Sequence, residues 1–344
     1  MRTLTYKEAI SEALVQGMEQ DPDVFIFGLG VDDYKGIFGT TRDAFLKFGP
    51  ARVFDTPASE NALTGIMLGA ALNGKRPVMV HARHDFMFLT LDQLINNASK
   101  WKYVYAGKSS VPCLIRGIVG KGWGQGVTHS QNIQAVCAHF PGLYVVVPST
   151  PYLVKGLISR GLRTDSPVLI LESRALYDTE GPVPEEAYEI PFGKAHVHRE
   201  GRDLTVVATS LMIPEALKAA EILSGQGIEI EVIDPVCLQP IDAVTLCASV
   251  RKTGRLICVD NDWLPCGFSA EVAALAADQA FSALKAPVKR IGWVFSPCPV
   301  SKPLEEIFYP SCHTIIETAL EVLARDIAYD KKQIREETPF LGPY

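Results

Sequence analysis

The chain has 344 residues, of which 47% are hydrophobic and 21% charged, and its formal net charge is −6. Acidic and basic residues are mixed along it, so no basic stripe offers a footprint for nucleic acid. No apolar stretch approaches the roughly 20 residues of a membrane span, and residues 1–8 lack the apolar region of a signal peptide. We therefore expect a cytoplasmic protein of two domains, because a typical domain has about 150 residues.

The first half of the chain alternates short apolar runs with longer segments of helical period. The apolar runs predict strands that begin at Val24, Pro77, Val111, Leu143 and Val168. The periodic segments predict helices over residues 59–73, 89–102, 131–139 and 152–162, the first with Ser59 as its N-cap. Continuous apolar strands joined by helices are typical of a parallel sheet that is covered on both faces.

The second half repeats this alternation after a segment rich in proline and glutamate, residues 179–192. Strands are predicted to begin at Leu204, Ile228, Leu256 and Val288, and helices to span 213–223, 242–250, 269–281 and 314–325. The composition of the proline-rich segment indicates a linker. We expect a first domain over 1–180, a linker over 181–200, a second domain over 201–328 and a tail over 329–344.

The eight cysteines include no C-x-x-C pair, the spacing that zinc sites usually show. Several lie inside apolar runs, as Cys258 does. We interpret them as small buried hydrophobic residues of a protein in a reducing compartment.

Glu60 falls in the first turn of the predicted helix 59–73, whose following residues are apolar nearly all round. A glutamate at this place complements the helix dipole, which would be a purely structural role. If the helix is buried, however, the carboxylate is partly removed from water, and such an environment suits proton transfer. Both interpretations of Glu60 stay open at this point.

A second stretch, residues 117–131, contains five glycines and ends in Thr128-His129-Ser-Gln. It matches neither the G-x-G-x-x-G pattern nor the Gly-Lys-Ser/Thr ending of a Walker loop. Glycines allow a ligand to approach the backbone closely. His129 is therefore a candidate for proton transfer, or else it helps to cap the helix predicted from 131, for which Thr128 and Gln131 have capping-box spacing.

A third stretch follows the strand that begins at Pro77 and contains His81, Arg83, His84 and Phe86. Three of these side chains are able to carry a positive charge. Phe86 could stack on a cofactor ring, or it could belong to the hydrophobic core, which is the more common place for a single phenylalanine.

Together these stretches resemble the beta subunit of the thiamine-diphosphate-dependent 2-oxo acid dehydrogenases, in the pyruvate, branched-chain and acetoin types. The matching motifs follow in the family's order over nearly the whole chain: Asp55-Thr-Pro-Ala-Ser-Glu, Leu91-Asp-Gln-Leu-Ile-Asn, His129-Ser-Gln, Phe140-Pro-Gly-Leu-Tyr-Val-Val-Val-Pro, Glu231-Val-Ile-Asp-Pro and Gly267-Phe-Ser-Ala-Glu. The resemblance implies two doubly wound α/β domains, an N-terminal pyrimidine-binding thiamine-diphosphate fold and a C-terminal transketolase-like domain.

The resemblance also implies roles for single residues. Glu60 would hydrogen-bond the ring nitrogen of the cofactor's aminopyrimidine and so favour the tautomer that removes the thiazolium C2 proton. Phe86 would pack on the pyrimidine ring, and His129 would assist proton transfer near the thiazolium. Leu29 lies at the cofactor-binding position after Gly28, where the family usually has one or two acidic residues; here Leu29 and Gly30 replace them.

Gly-Asp-Gly followed by a paired asparagine, the family's diphosphate and magnesium motif, does not occur in the sequence. In two-chain members this motif lies on the alpha subunit, which would therefore hold Mg²⁺, while this chain holds no metal. The resemblance implies an enzyme of two alpha and two beta chains that is inactive without alpha. It also implies docking on a lipoyl-bearing acyltransferase core and a monovalent cation near the glycine loops.

The substrate is less defined, and a small 2-oxo acid such as pyruvate is the default. His81, Arg83 and His84 stand where the family has aromatic, small or apolar residues, so they are candidates for binding an anionic or hydroxylated substrate group. Alternatively, some of them point away and pair with an acid at an interface. A split transketolase-like or acyloin-forming ketol transferase would use the same Glu60 chemistry, and a non-catalytic scaffold subunit would need none of it.

Overall fold

The computed structural model describes residues 1–33, 35–121 and 124–329. The elements of the first half are, in chain order, β1 Arg2–Thr5, α1 Tyr6–Gln20, β2 Val24–Phe27, α2 Gly36–Gly39, α3 Arg42–Phe48, β3 Val53–Phe54, α4 Glu60–Leu72, β4 Arg76–His81, α5 Ser99–Val104, β5 Leu114–Val119, α6 Gln134–Ala138, β6 Tyr144–Val146, α7 Pro151–Arg163, β7 Val168–Ser173 and β8 Glu180–Val183.

The elements of the second half are β9 His196–Arg199, β10 Leu204–Ala208, α8 Met212–Ser224, β11 Ile230–Asp234, β12 Cys237–Gln239, α9 Ala243–Thr253, β13 Leu256–Trp263, α10 Phe268–Gln279, β14 Lys289–Trp293, α11 Lys302–Phe308 and α12 Cys312–Leu323. The chain forms two compact units. The first contains residues 1–121, 136–192 and 237–240, and the second contains the described residues of 122–135, 193–236 and 241–344.

The first unit is built on a seven-stranded sheet in the order β12-β6-β7-β5-β4-β2-β3. All neighbours in it are parallel except the edge strand β12, which lies antiparallel to β6. Every residue of β5 and β7 is buried, as the continuous apolar runs indicated. The parallel sheet predicted for this half of the chain is thus confirmed.

Helix α1 packs along α7 in this unit and was not among the predicted elements. Its buried residues Tyr6, Ile10 and Leu14 recur at a spacing of four, which places them on one helical face. Thr5 and Glu8 form a capping box at its start. The pattern for this helix was therefore present in the sequence.

The second unit has a five-stranded sheet in the order β14-β13-β10-β11-β9. Strands β14, β13, β10 and β11 are parallel, and β9 is antiparallel to β11. Regular structure also occurs within the segment 181–200 expected as a linker, since β8 pairs with β1 and β9 joins this second sheet.

The single helix predicted over 89–102 is wrong in type and extent. The chain instead forms a 3₁₀ turn over His84–Thr90, a π-helical stretch over Asp92–Ala98 and then α5. One side chain competes here with the usual hydrogen bonds of the helix, since Asn97 Nδ2 donates to the Asp92 carbonyl oxygen. Asn96 Nδ2 donates to the side chain of the same residue, Asp92 Oδ1, at 2.8 Å. Leu94, Ile95 and Ala98 are buried, as the pattern indicated.

Two predicted helix starts also differ. The helix predicted from residue 131 begins at Gln134, so Thr128 and Gln131 do not form its capping box. Ser59 is the N-cap residue of α4, but its side chain makes no capping hydrogen bond.

None of the helices in the described part of the chain combines the length and apolar character needed to cross a membrane. All eight cysteines are free thiols, and seven are buried; Cys266 is exposed. The prediction of buried cysteines is therefore correct for all but Cys266.

Candidate active site

The candidate residues of the first unit follow three adjacent strands, β4, β2 and β3, at their carboxyl ends. Leu29 follows β2, Glu60 comes six residues after β3, and His81 is the last residue of β4. The backbone N–H of Gly30 donates to Asp55 Oδ1 at 2.7 Å, which ties the loop after β2 to the loop after β3. In parallel sheets this edge is where ligands bind.

Glu60 is the first residue of α4 and is half-buried. Its carbonyl oxygen accepts a hydrogen bond from Thr64 Oγ1 at 2.7 Å. Met67 and Leu68 are buried, whereas Ile66 is 63% exposed in this chain. The helix expected to be apolar and buried all round is thus buried on one face only, and Glu60 lies at the boundary between protein and solvent.

Phe86 lies on the 3₁₀ turn His84–Thr90, against which α4 packs. Its side chain is 40% exposed, so it is not a core residue. Leu29 is 53% exposed after β2. This edge of the sheet therefore offers a carboxylate and two accessible apolar side chains to a ligand.

His81 and His84 are buried, in contrast to Phe86. Burial lowers the pKa of His81 to about 4, helped by the neighbouring His84. Burial likewise lowers the pKa of His84, although Asp85 and the Ile118 carbonyl oxygen oppose the shift. Both rings are neutral at neutral pH, so the expected cationic character of this stretch is limited to Arg83.

The Nε2 atoms of both histidines are buried and have no hydrogen-bond partner among the described residues. A buried polar atom without a partner costs free energy. His84 Nδ1 lies 3.2 Å from the Ile118 carbonyl oxygen. The two rings are therefore polar groups enclosed behind the sheet edge rather than charges facing a substrate.

The sequence interpretation missed a second arginine at this edge, Arg174, which directly follows β7. Its guanidinium lies against the ring of Phe38. The position after a strand was the signal that singled out His81, Arg83 and His84, and the same signal applied to Arg174.

His129 belongs to the second unit, within residues 124–135. It is half-buried, and its Nδ1 lies 2.9 Å from Thr128 Oγ1. Because α6 begins only at Gln134, His129 does not cap that helix. The segment is anchored to β13 by two hydrogen bonds: Asn132 Nδ2 donates to the Asn261 carbonyl oxygen at 2.8 Å, and Gln134 Nε2 donates to Asp260 Oδ1 at 2.5 Å.

Two buried carboxyls, Asp260 and Asp262, lie on the strand that anchors this segment. Burial raises the pKa of Asp260 to about 6, against hydrogen bonds from Ser269, Thr209 and Gln134. Burial and the charge of Asp260 raise the pKa of Asp262 to about 8. These carboxyls were not singled out in the sequence, because nothing there shows that both are enclosed.

Comparison with protein families gives two matches. The transketolase pyrimidine-binding domain matches residues 2–180, and the transketolase C-terminal domain matches residues 193–315.

In the described part of the chain, no group of three or more His, Cys, Asp or Glu residues is placed to hold a metal ion.

Curated relatives match over nearly the full length. The acetoin:2,6-dichlorophenolindophenol oxidoreductase subunit beta of Cupriavidus necator is 40% identical, over 94% of this chain and 98% of that protein. The mitochondrial pyruvate dehydrogenase E1 component subunit beta-1 of Arabidopsis thaliana is 38% identical, over 92% of this chain and 89% of that protein.

A solved structure supports the fold. It is described as a split gene transketolase, inactive beta4 tetramer, and it matches with a TM-score of 0.76 at 22% identity, covering 93% of this chain and 98% of that one. The relatives and the two domain matches together assign the sequence: the chain belongs to the beta-subunit family of the pyruvate and acetoin dehydrogenases, which joins a transketolase pyrimidine-binding domain to a transketolase C-terminal domain.

Proposed function

We propose that this chain provides the pyrimidine-binding half of a thiamine-diphosphate site and, with an alpha subunit, decarboxylates a 2-oxo acid oxidatively and transfers the acyl group to lipoamide. The observation that carries the proposal is the position of Glu60, at the first residue of α4 on the ligand-binding edge of a transketolase pyrimidine-binding domain. The near full-length similarity to pyruvate and acetoin dehydrogenase beta subunits supports the reaction type.

The residues at this edge fit an aminopyrimidine. Glu60 presents a half-buried carboxylate able to hydrogen-bond a ring nitrogen, and Phe86 presents an accessible aromatic face. Leu29 adds accessible apolar surface at the next strand end. When bound, thiamine diphosphate would supply a carbon nucleophile and an electron sink for the decarboxylation of a 2-oxo acid. Glu60 would hold the proton on the pyrimidine nitrogen, and Phe86 would orient the ring.

His129 would act as a proton donor or acceptor during the reaction. Its ring is half-buried, and Nδ1 lies 2.9 Å from Thr128 Oγ1. The anchoring of its segment to β13 through Asn132 and Gln134 limits the positions that this ring can adopt.

Binding of Mg²⁺ and the diphosphate, and acceptance of the acyl group, are assigned to partners of this chain. The relatives are named as beta subunits, which supports an alpha subunit as the partner of this chain. The assembly of two alpha and two beta chains is what the family resemblance implies. The alpha subunit would hold Mg²⁺ and the diphosphate, since this sequence lacks the family's motif for them. A lipoyl-bearing acyltransferase would accept the acyl group, and a monovalent cation would lie near the glycine loop.

Acetoin is a second candidate substrate beside pyruvate. Two relatives, 40% and 38% identical to this chain, are named as acetoin oxidoreductase subunits. Oxidation of acetoin would use the same Glu60 and Phe86 contacts, because these concern the cofactor and not the substrate.

Reconstitution with an alpha subunit tests the proposal. With thiamine diphosphate and Mg²⁺ added, reduction of an artificial electron acceptor is followed with pyruvate, a branched 2-oxo acid and acetoin. Glu60→Gln should lower kcat by about 10²- to 10⁴-fold, the usual contribution of a proton-transfer group. Glu186→Gln, at an exposed glutamate, is the matched control and should leave kcat unchanged. Equal turnover by the two variants would refute the role of Glu60.

A further inference from the structure

The carboxyl edge of the second sheet holds a segment of the chain itself. Asp260 and Asn261 lie on β13, directly after the last residue that pairs with β10. Gln134 Nε2 donates to Asp260 Oδ1 at 2.5 Å, and Asn132 Nδ2 donates to the Asn261 carbonyl oxygen at 2.8 Å. In parallel sheets this edge is where ligands bind, and here it binds the segment that carries His129.

Asp260 joins this segment to three elements of the second unit. Its Oδ2 accepts a hydrogen bond from the backbone N–H of Ser269, on α10, at 2.8 Å, and its Oδ1 accepts one from Thr209 Oγ1 at 3.3 Å. Thr209 directly follows β10, and its Oγ1 accepts a hydrogen bond from the backbone N–H of Asn261 at 3.0 Å. Gln134 is therefore bound to a carboxylate that β10, β13 and α10 together hold in place.

A second carboxyl acts on the neighbouring residue of the segment. Asp262 is buried two residues further along β13. Burial and the charge of Asp260 raise its pKa to about 8, and the backbone N–H of Ala135 opposes this rise by favouring the charged form. Asp260 and Asp262 thus interact with consecutive residues of the segment, Gln134 and Ala135.

The residues that follow His129 are enclosed. Ser130, Asn132 and Gln134 are buried, and the backbone N–H of Gln134 donates to Asn132 Oδ1 at 3.1 Å. Gln134 Oε1 is buried as well, and it has no hydrogen-bond partner among the described residues, which costs free energy. An apolar residue of the same size would avoid this cost, so stability alone does not account for a glutamine at this place. The hydrogen bond to Asp260 instead determines where the segment lies.

We propose that Asp260, acting through Gln134, is a positioning residue that holds His129 where it can transfer a proton. The inference rests on the proposed function, in which His129 is the proton donor or acceptor. The segment cannot shift without breaking the buried hydrogen bonds of Gln134 and Asn132, so these bonds limit the movement of a ring that lies a few residues earlier in the chain. Proton transfer requires the two heavy atoms to lie about 2.6–3.2 Å apart, and a displacement of about 1 Å can lower a rate about 100-fold.

The first test removes the hydrogen bond and keeps the size of the side chain. Gln134→Met is compared with the unchanged protein in the complex reconstituted with an alpha subunit, thiamine diphosphate and Mg²⁺, with pyruvate or acetoin as the substrate. We expect kcat to fall about 10- to 100-fold and KM to stay within about twofold, because the lost interaction acts in the transition state. Asp260→Asn should have the same effect, since asparagine keeps one acceptor oxygen for the N–H groups of Gln134 and Ser269.

Ser249→Ala is the matched control, because it also removes a buried hydrogen bond of the second unit, the 2.7 Å contact between Ser249 Oγ and Thr205 Oγ1. It should leave kcat unchanged. In a His129→Ala background, Gln134→Met should lower kcat no further, because a positioning residue acts only through the residue that it positions. Equal kcat in the Gln134→Met variant and the control, or a loss by Gln134→Met that is as large without His129, would overturn the inference.

Hydrogen exchange then separates the inference from the proposed function. In the same complexes, the backbone amides of residues 124–135 should exchange about 10-fold faster in Gln134→Met, the factor expected for one lost buried hydrogen bond, and at the original rate in Ser249→Ala. Faster exchange without turnover of any 2-oxo acid or of acetoin supports the attachment of the segment and refutes the proposed function. Unchanged exchange and unchanged kcat in an active complex overturn the inference and keep the proposed function.

Discussion

At the scale of single residues, Asp262 links the second unit's stability to pH. Its pKa is raised to about 8 by burial and by Asp260, whose own pKa is raised to about 6. Between the ordinary aspartate pKa near 4 and pH 8, the folded chain keeps a proton that the unfolded chain has released. Stability is therefore highest below this window, falls as pH rises through it and levels off above pH 8.

Asp262→Asn removes this dependence. We expect the free energy of unfolding of the variant to fall less steeply between pH 5 and 8, by up to about 1.4 kcal/mol per pH unit, the value for one proton. Urea unfolding at several pH values measures the slope. Asp278→Asn, at an exposed aspartate of α10, is the control; if both variants keep the original slope, Asp262 does not hold the proton.

Phe86 provides a second test at this scale, because Phe88 in the same 3₁₀ turn is similarly exposed, at 45% against 40%. If Phe86 packs on the aminopyrimidine, Phe86→Ala should weaken thiamine diphosphate binding by the reconstituted enzyme about 10-fold, the contribution typical of an aromatic pair. Phe88→Ala should leave the affinity within about twofold, the usual range for a surface change. Fluorescence titration measures both, and equal losses would contradict the assignment of Phe86.

At the scale of elements, the N-terminus of α7 shows a cap that the N-terminus of α4 lacks. Thr150 Oγ1 accepts a hydrogen bond from the Leu153 N–H at 3.2 Å, whereas the Ser59 side chain makes no capping bond. Thr150→Ala should lower the free energy of unfolding by about 1 kcal/mol, and Ser59→Ala by less than about 0.5 kcal/mol. Urea unfolding compares them, and a larger loss for Ser59→Ala would contradict the geometry.

The elements predicted most accurately from sequence are the buried parallel strands. Strand β10, Leu204–Ala208, begins at the predicted residue, because a run that is buried on both faces must be apolar throughout. The stretch 84–104 was predicted less well, since the choice between α, 3₁₀ and π geometry depends on side-chain hydrogen bonds such as the one from Asn97 to the Asp92 carbonyl oxygen. Hydrophobic periodicity identifies the buried face of such a stretch and not its hydrogen bonding.

At the scale of the whole molecule, the family and the order of its domains could be predicted from the sequence. The structure was needed to show which of the two units each short segment joins. Strand β12 pairs with β6 in the first unit although it follows β11 of the second, and the segment with His129 groups with the second unit. No local sequence pattern predicts which unit such a segment joins. That Arg174 and Arg83 both lie near the Phe38 ring was hidden for the same reason, because 91 positions of sequence separate the two arginines.

On the proposed function, this chain supplies only part of a thiamine-diphosphate site. The most direct measurement compares 2-oxo-acid-dependent reduction of an artificial electron acceptor by the purified chain alone and by the chain mixed with its alpha subunit, with thiamine diphosphate and Mg²⁺ present in both. We predict no turnover by the chain alone and turnover once the alpha subunit is added. Turnover by the chain alone, or none by a stable complex with bound cofactor, would contradict the claim.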